Sequence, residues 1–172
     1  MKKKILILAG GFSREREISL KTAKGVFKEI KKKYHVKIFE PNGDLIKNLR
    51  LFKPDVVFNA LHGRYGEDGY IQTILESEKI KYTHSGVLSS SLAIDKELSK
   101  IIFKKNKILS PKYLKFKFKK TNEKSEIIKK IRNKLGFPVV IKPINEGSSV
   151  SVYICNQKNI TNALRIKPQV LS

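Results

Sequence analysis

Short apolar runs alternate with amphipathic stretches through the first half of the chain. Residues 5–9, Ile-Leu-Ile-Leu-Ala, are apolar without interruption, the pattern of a strand covered on both faces. Gly10-Gly11 breaks the run. Ser13 stands where a helix N-cap belongs, and Ile18, Ala23, Val26, Phe27 and Ile30 recur on one helical face in a helix expected to reach Lys33. Val36–Phe39 predicts a second strand, closed by Pro41-Asn42-Gly43. Leu45, Ile46, Leu49 and Phe52 predict a short amphipathic helix, Val56–Leu61 a third buried strand, Gly69–Glu78 a helix and Lys81–Thr83 a short strand. This β-α-β-α-β order predicts an α/β fold with a doubly wound, parallel sheet and right-handed crossovers.

The second half reads differently. Ser90 to about Lys105 predicts one longer helix, with Leu92, Leu98, Ile101, Ile102 and Phe103 apolar. Tyr113–Phe118 alternates apolar and charged residues, as a half-exposed strand does. Glu123–Leu135 predicts a helix ended by Gly136; Phe137–Ile141 and Val150–Ile154 predict two strands, and Asn159–Ile166 a last helical stretch. The change of style places a boundary near residues 95–110, giving domains 1–95 and 96–172. Neither an internal repeat nor a low-complexity segment is visible.

Composition narrows the function classes. The chain has 172 residues, 40% of them hydrophobic, enough for one ordinary domain or two small ones. No apolar run is long enough for a membrane span, and the apolar part of the N-terminus is shorter than the core of a secretory signal. A single cysteine, Cys155, fits a reducing cytosol; its apolar neighbours suggest a buried, inert thiol. The formal net charge is +22, which invites a nucleic-acid partner. The lysines are scattered over the polar faces of the expected helices, however, with no aromatic-interleaved basic ribbon, so specific nucleic-acid binding is not expected. A positive field also suits anionic small molecules.

The densest chemistry lies in residues 136–152. A buried strand delivers Lys142, a loop of Gly147, Ser148 and Ser149 follows, and a second strand leads away. Strand, lysine, small flexible loop and strand form a phosphate cradle: the loop offers N–H groups and hydroxyls, the lysine a point charge. The same residues also describe an ordinary hairpin with a solvated lysine. Two further loops fall at the carboxyl ends of the first and third strands, where open parallel sheets bind ligands. Residues 10–15 bring Glu15, which could hold an ammonium group or simply complement a helix N-terminus. Residues 61–69 bring His62, a candidate for holding a carboxylate or moving a proton, or a satisfied turn residue. Glu67 and Asp68 could be catalytic or belong to a helix start.

Five segments, taken together, resemble the amino-terminal part of the D-alanine–D-alanine ligase family of the ATP-grasp superfamily. They are residues 9–19 (AGGFSREREIS), 60–69 (ALHGRYGEDG), 82–87 (YTHSGV), 93–96 (AIDK), and FPVVIKP at 137–143 with EGSSV at 146–150. The resemblance implies a pre-ATP-grasp, Rossmann-like substrate domain over 1–95 and an incomplete α+β ATP-grasp subdomain over 96–172. It implies ligation of two D-alanines with ATP through an acyl phosphate, for peptidoglycan precursors, in the cytoplasm. Glu15, supported by Ser148, would anchor the first D-alanine's ammonium, with His62 near its carboxyl group; Glu15 and Ser148 are the catalytic assignments. Lys96 and Lys142 would bind ATP phosphates, and Ser149 and Val150 would close over them. A homodimer through the N-terminal domain is also implied. A family member is roughly twice this length, so the chain is expected to be a truncated portion, inactive alone, whose Mg²⁺ ligands lie in the missing half; no metal ligands are assigned here. The family has glycine where this chain has Ser151, a residue expected to stiffen the loop or forbid a positive φ. Another carboxylate–amine ligase, such as one making D-alanine–D-lactate, and a non-catalytic binding fragment fit the same residues.

Overall fold

The computed structural model describes residues 2–116, 124–149, 151–164 and 170–171. The chain divides into two compact units, Met1–Ile94 and Asp95–Ser172.

The first unit is built on three parallel strands, β1 (Lys4–Leu8), β2 (His35–Phe39) and β3 (Val56–Asn59), in the order β2-β1-β3. Tyr82 adds a parallel bridge to Val57 beyond them. β1 is central, and its uninterrupted apolar sequence is explained by burial on both faces. Leu6 and Leu8 pack against α2 (Leu45–Phe52) and α3 (Tyr70–Ser77) through Leu45, Leu49, Ile71 and Leu75. Ile7 and Ala9 face the other way, onto α1 (Arg16–Ile30), through Ala23, Leu20, Val26 and Phe27. Helices on both faces of a parallel sheet are the doubly wound arrangement expected.

Local chemistry moved several element ends. Ser13 is not the N-cap of α1. Its Oγ accepts from the Glu15 N–H (3.1 Å) and donates to the His62 carbonyl (2.8 Å), so the hydroxyl ties two loops together and the helix starts at Arg16. β3 stops at Asn59 because the Asn59 Oδ1 accepts from the Leu61 N–H (3.1 Å), a local bond that competes with the strand ladder. The one long helix expected over 90–105 is two, α4 (Val87–Ala93) and α5 (Lys96–Lys105). Asp95 divides them. Its backbone is extended and its carboxylate accepts from the N–H groups of Glu97 (2.8 Å) and Leu98 (3.0 Å), starting a new helix.

The second unit holds a four-stranded antiparallel sheet in the order β4-β7-β5-β6, formed by β4 (Leu114–Lys115), β5 (Val139–Lys142), β6 (Tyr153–Cys155) and β7 (Val170–Leu171). β7 was not legible in the sequence; two residues are too few to show a period. α6 (Lys124–Lys134) and α7 (Ile160–Ala163) supply Ile127, Ile131, Ile160 and Ala163 to a core completed by Val139, Ile141 and Cys155. Gly136, at φ +78°, ends the α6 segment, its N–H donating to the Ile131 carbonyl (3.1 Å). Parts of the expected strand 113–118 and helices 123–135 and 159–166 lie outside the described residues.

Candidate functional site

In the first unit the site is assembled where β1 and β3 end. Ser19, fully buried on the inner face of α1, accepts from the Gly10 N–H (2.7 Å) and donates to the Ala60 carbonyl (2.7 Å). One hydroxyl therefore fixes the spacing of the two loops that follow these strands. Glu15, only 3% exposed, lies beneath them. Gly63 lets the second loop pass over the Glu15 carboxylate: its φ is +64°, and a Cβ there would stand 2.6 Å from Oε1. A carboxylate buried beside a glycine-bearing loop attracts an ammonium ion strongly because solvent screens the pair little, although both charges must shed water to meet there.

His62 sits at the same strand end. Its Nε2 is 3.2 Å from Thr22 Oγ1, and its Nδ1 is 3.7 Å from Glu67 Oε1. Glu67 Oε2 accepts from the Gly63 N–H (2.8 Å). Glu67 thus braces the loop that carries His62 and Gly63. Asp68 accepts from the Tyr70 N–H (3.2 Å) at the start of α3, a structural use of the acid. Below, Asn59 Nδ2 and Gln72 Nε2 both donate to the Gly66 carbonyl at 2.8 Å, and both residues are 1% exposed. Beside Gly11, Glu40 accepts from its N–H (3.0 Å) and from Arg16 through Nε (2.7 Å) and Nη2 (2.8 Å). The Arg16 bond is the main reason the Glu40 carboxyl titrates below the ordinary range.

The second unit gathers the cationic candidates. Lys142 is the last residue of β5. Lys96, at the first turn of α5, donates through its backbone N–H (3.1 Å) and Nζ (3.2 Å) to the Ile144 carbonyl, and through Nζ to the Glu146 carbonyl. Both lysines are thereby attached to the segment that leads into Gly147-Ser148-Ser149. Lys100 is one turn further along α5. Burial first, and then the charge of Lys142, push its pKa below the usual lysine value. Its Nζ donates to Ser110 Oγ (3.1 Å) and the Pro111 carbonyl (2.8 Å). Ser148 and Ser149 are exposed, at φ +45° and +60°. Ser151 is at φ +56°, so serine does not forbid the positive φ; the loop holds three non-glycine residues in a region they rarely occupy. Val150 lies outside the described residues.

The structure thus brings Glu15 and His62 together in one unit, and Lys96 and Lys142 to the serine loop in the other. Ser19, Asn59 and Gln72 had no assigned part in the sequence reading. Their signal was available: each is a polar residue at a position where the period demands an apolar one. Cys155 is 1% exposed, and burial raises its pKa, as suits an inert thiol. Among the described residues no group of three or more His, Cys, Asp or Glu side chains is disposed to hold a metal ion, and none of their helices is long and apolar enough to cross a membrane.

A doubly wound unit followed by an antiparallel unit with a lysine-bearing strand is a partial ATP-grasp fold. Known proteins agree with that class. The family model described as "D-ala D-ala ligase N-terminus" matches residues 42–85, and "D-ala D-ala ligase C-terminus" matches residues 102–170. A D-alanine–D-alanine ligase of Pelagibacter ubique is 64% identical over 167 residues, covering 96% of this chain and 54% of that protein. One from the Wolbachia of Brugia malayi is 45% identical over 152 residues, covering 87% of this chain and 42% of its own length. The crystal structure of the Bacillus anthracis D-alanine–D-alanine ligase superposes with a TM-score of 0.78 at 31% identity, covering 99% of this chain and 57% of that one. The same enzyme complexed with ATP gives 0.75 at 30% identity, covering 98% and 57%. The chain belongs to the D-alanine–D-alanine ligase family, and it spans about half the length of the curated relatives it matches.

Proposed function

We propose that this chain supplies the D-alanine-binding and part of the ATP-phosphate-binding apparatus of a D-alanine–D-alanine ligase. The observation that carries the reading is the buried Glu15 beneath the Gly63 loop, beside His62. In this reading Glu15 anchors the ammonium of the first D-alanine and Ser148 supports it. His62 lies near the carboxyl group that will react. Lys96 and Lys142 neutralise ATP phosphates, and the backbone N–H groups of Ser149 and Val150 close over them.

The reaction divides into two displacements. The carboxylate of the first D-alanine attacks the γ-phosphorus, ADP leaves, and an acyl phosphate forms. The amine of the second D-alanine then attacks the acyl carbon and expels phosphate, losing a proton as the amide forms. The protein's part in such phosphoryl transfer is positioning and charge neutralisation, which is what buried carboxylate, lysines and small-residue loop are suited to. Mg²⁺ has no fitting ligand set among the described residues, so no step here is routed through it, and the reading takes its ligands from outside this chain. The dipeptide would serve peptidoglycan precursor synthesis in the cytoplasm, where ATP is present. We also assign self-association to the N-terminal unit.

The test is calorimetric titration of the 172-residue polypeptide with D-alanine and, separately, with a non-hydrolysable ATP analogue. Both are expected to bind, D-alanine in preference to L-alanine, while phosphate release from ATP stays at the uncatalysed level. Failure of D-alanine to bind, or equal binding of L-alanine, would overturn the assignment.

A further inference from the structure

Glu40, the residue after β2, does three things at once. Its carboxylate accepts from the Gly11 N–H (3.0 Å) and from Arg16 through Nε (2.7 Å) and Nη2 (2.8 Å). It also fills the space beside Gly10, where a Cβ would stand 2.4 Å from Oε1. Arg16 donates in addition through Nη1 to Glu17 (3.1 Å). Arg16 opens α1 and directly follows Glu15. All of these groups lie within the unit Met1–Ile94. Stability alone does not account for the pair. Its side chains are 46% and 41% exposed, and ion pairs open to solvent contribute little to folding.

We infer that Arg16 and Glu40 are positioning residues for Glu15: their paired bonds hold the first turn of α1 at the rotation that keeps the Glu15 carboxylate beneath the Gly63 loop. Two parallel bonds from a planar guanidinium fix the direction of a carboxylate as well as its distance. The turn is thereby locked against the end of β2. Glu15 is the N-cap residue of α1, yet its side chain does not cap the helix; it is buried under the neighbouring loop instead. A small rotation of the turn would carry it out of that place. The loop before it is held from two sides, Gly10 by Ser19 and Gly11 by Glu40. The consequence for D-alanine binding rests on the reading of Glu15 as the ammonium anchor; the holding of Glu15 does not.

The test compares Arg16→Gln, Glu40→Gln and the double variant with the unaltered chain, by calorimetric titration with D-alanine and by hydrogen exchange without ligand. The two single variants separate position from charge. If charge alone counted, removing the Arg16 cation beside an ammonium site would tighten binding. Positioning requires both single variants to weaken it, by about fivefold or more, and the double variant to weaken it no further than about twofold beyond either, because the two residues act as one unit. The Glu15 amide, whose N–H donates to Ser13 Oγ (3.1 Å), is expected to exchange about threefold faster or more in both single variants. Arg50→Gln breaks a matched two-bond pair with Glu78 (2.8 and 2.7 Å) in the same unit, and is expected to leave both readouts within about twofold. Tighter D-alanine binding by Arg16→Gln overturns the proposal. So does Glu15 exchange unchanged in both single variants, or a loss in Arg50→Gln as large as theirs. Absence of D-alanine binding by the unaltered chain would sink the reading of the site, and the exchange result would still decide whether the pair holds Glu15.

Discussion

Replacing Ser19 by alanine should damage the first unit far more than the loss of one surface hydroxyl would. Ser19 is fully buried, and its Oγ makes two hydrogen bonds of 2.7 Å, from the Gly10 N–H and to the Ala60 carbonyl. Alanine fits the helix and removes both. Each buried backbone group left without its partner costs about 1–3 kcal/mol, so the pair should cost about 2–4 kcal/mol once some relaxation is allowed. Against a total stability of about 5–15 kcal/mol, that is a large fraction. Thr22, on the same helix, is the control. Its hydroxyl bonds the Ile18 carbonyl (3.1 Å) and His62 Nε2 (3.2 Å) at a partly exposed position, and Thr22→Ala should change stability by no more than about 0.5 kcal/mol. The assay is urea denaturation followed by circular dichroism. With a slope of about 1–3 kcal/mol per molar, Ser19→Ala should lower the midpoint of the transition of residues 1–94 by on the order of 1 M. A loss below about 0.5 kcal/mol, or one no larger than that of Thr22→Ala, would show that water or backbone movement replaces the hydroxyl, and the argument that Ser19 sets the spacing of the loops would fail.

Gly66→Ala should destabilise the same unit, because a Cβ there would stand 2.3 Å from Leu61 Cβ and 2.9 Å from its carbonyl carbon; overpacking of this kind costs about 1–3 kcal/mol, and an unchanged melting temperature would refute it. Ser151→Gly should stabilise the serine loop by about 1 kcal/mol by removing a side chain from a positive φ of +56°; hydrogen exchange at neighbouring amides measures this, and faster exchange in the variant would count against it. Burial, and then the bond to Glu76, raise the Tyr82 phenol from 10.0 to about 12. The neutral phenol is the form favoured by folding, so its contribution to stability is present below pH 10 and fades as the pH rises through about 12. Absorbance titration should show a late tyrosinate phase that Tyr82→Phe abolishes; its persistence in the variant would contradict the assignment.

Most of the first unit was legible because burial leaves a strong periodic trace. β1 is apolar at every position after Lys4, and α1, α2 and α3 each show one apolar face, so element type and order followed from spacing alone. The ends were not legible, because single side-chain bonds decided them. Asn59 stopped β3, Ser13 was used between loops rather than as a cap, and Asp95 cut a helix whose apolar period runs on through it. The site was half legible. Glu15 stood out in the loop that follows Gly10-Gly11, His62 by standing next to Gly63 at the end of a strand, and Lys142 by ending an apolar run. Ser19, Asn59 and Gln72 broke the apolar period, but what each is for shows only once its backbone partner is in view: Ala60, 41 residues away, for Ser19, and the Gly66 carbonyl for the other two.

The central claim is that the carboxylate buried beneath the Gly63 loop is the anchor for the amino group of D-alanine. Calorimetry comparing the unaltered chain with Glu15→Gln tests it directly, since glutamine keeps the shape and removes the charge. The account predicts that D-alanine affinity falls by at least about tenfold while the affinity for an ATP analogue is unchanged. Equal D-alanine affinity in the two proteins, both shown to be folded, would contradict it.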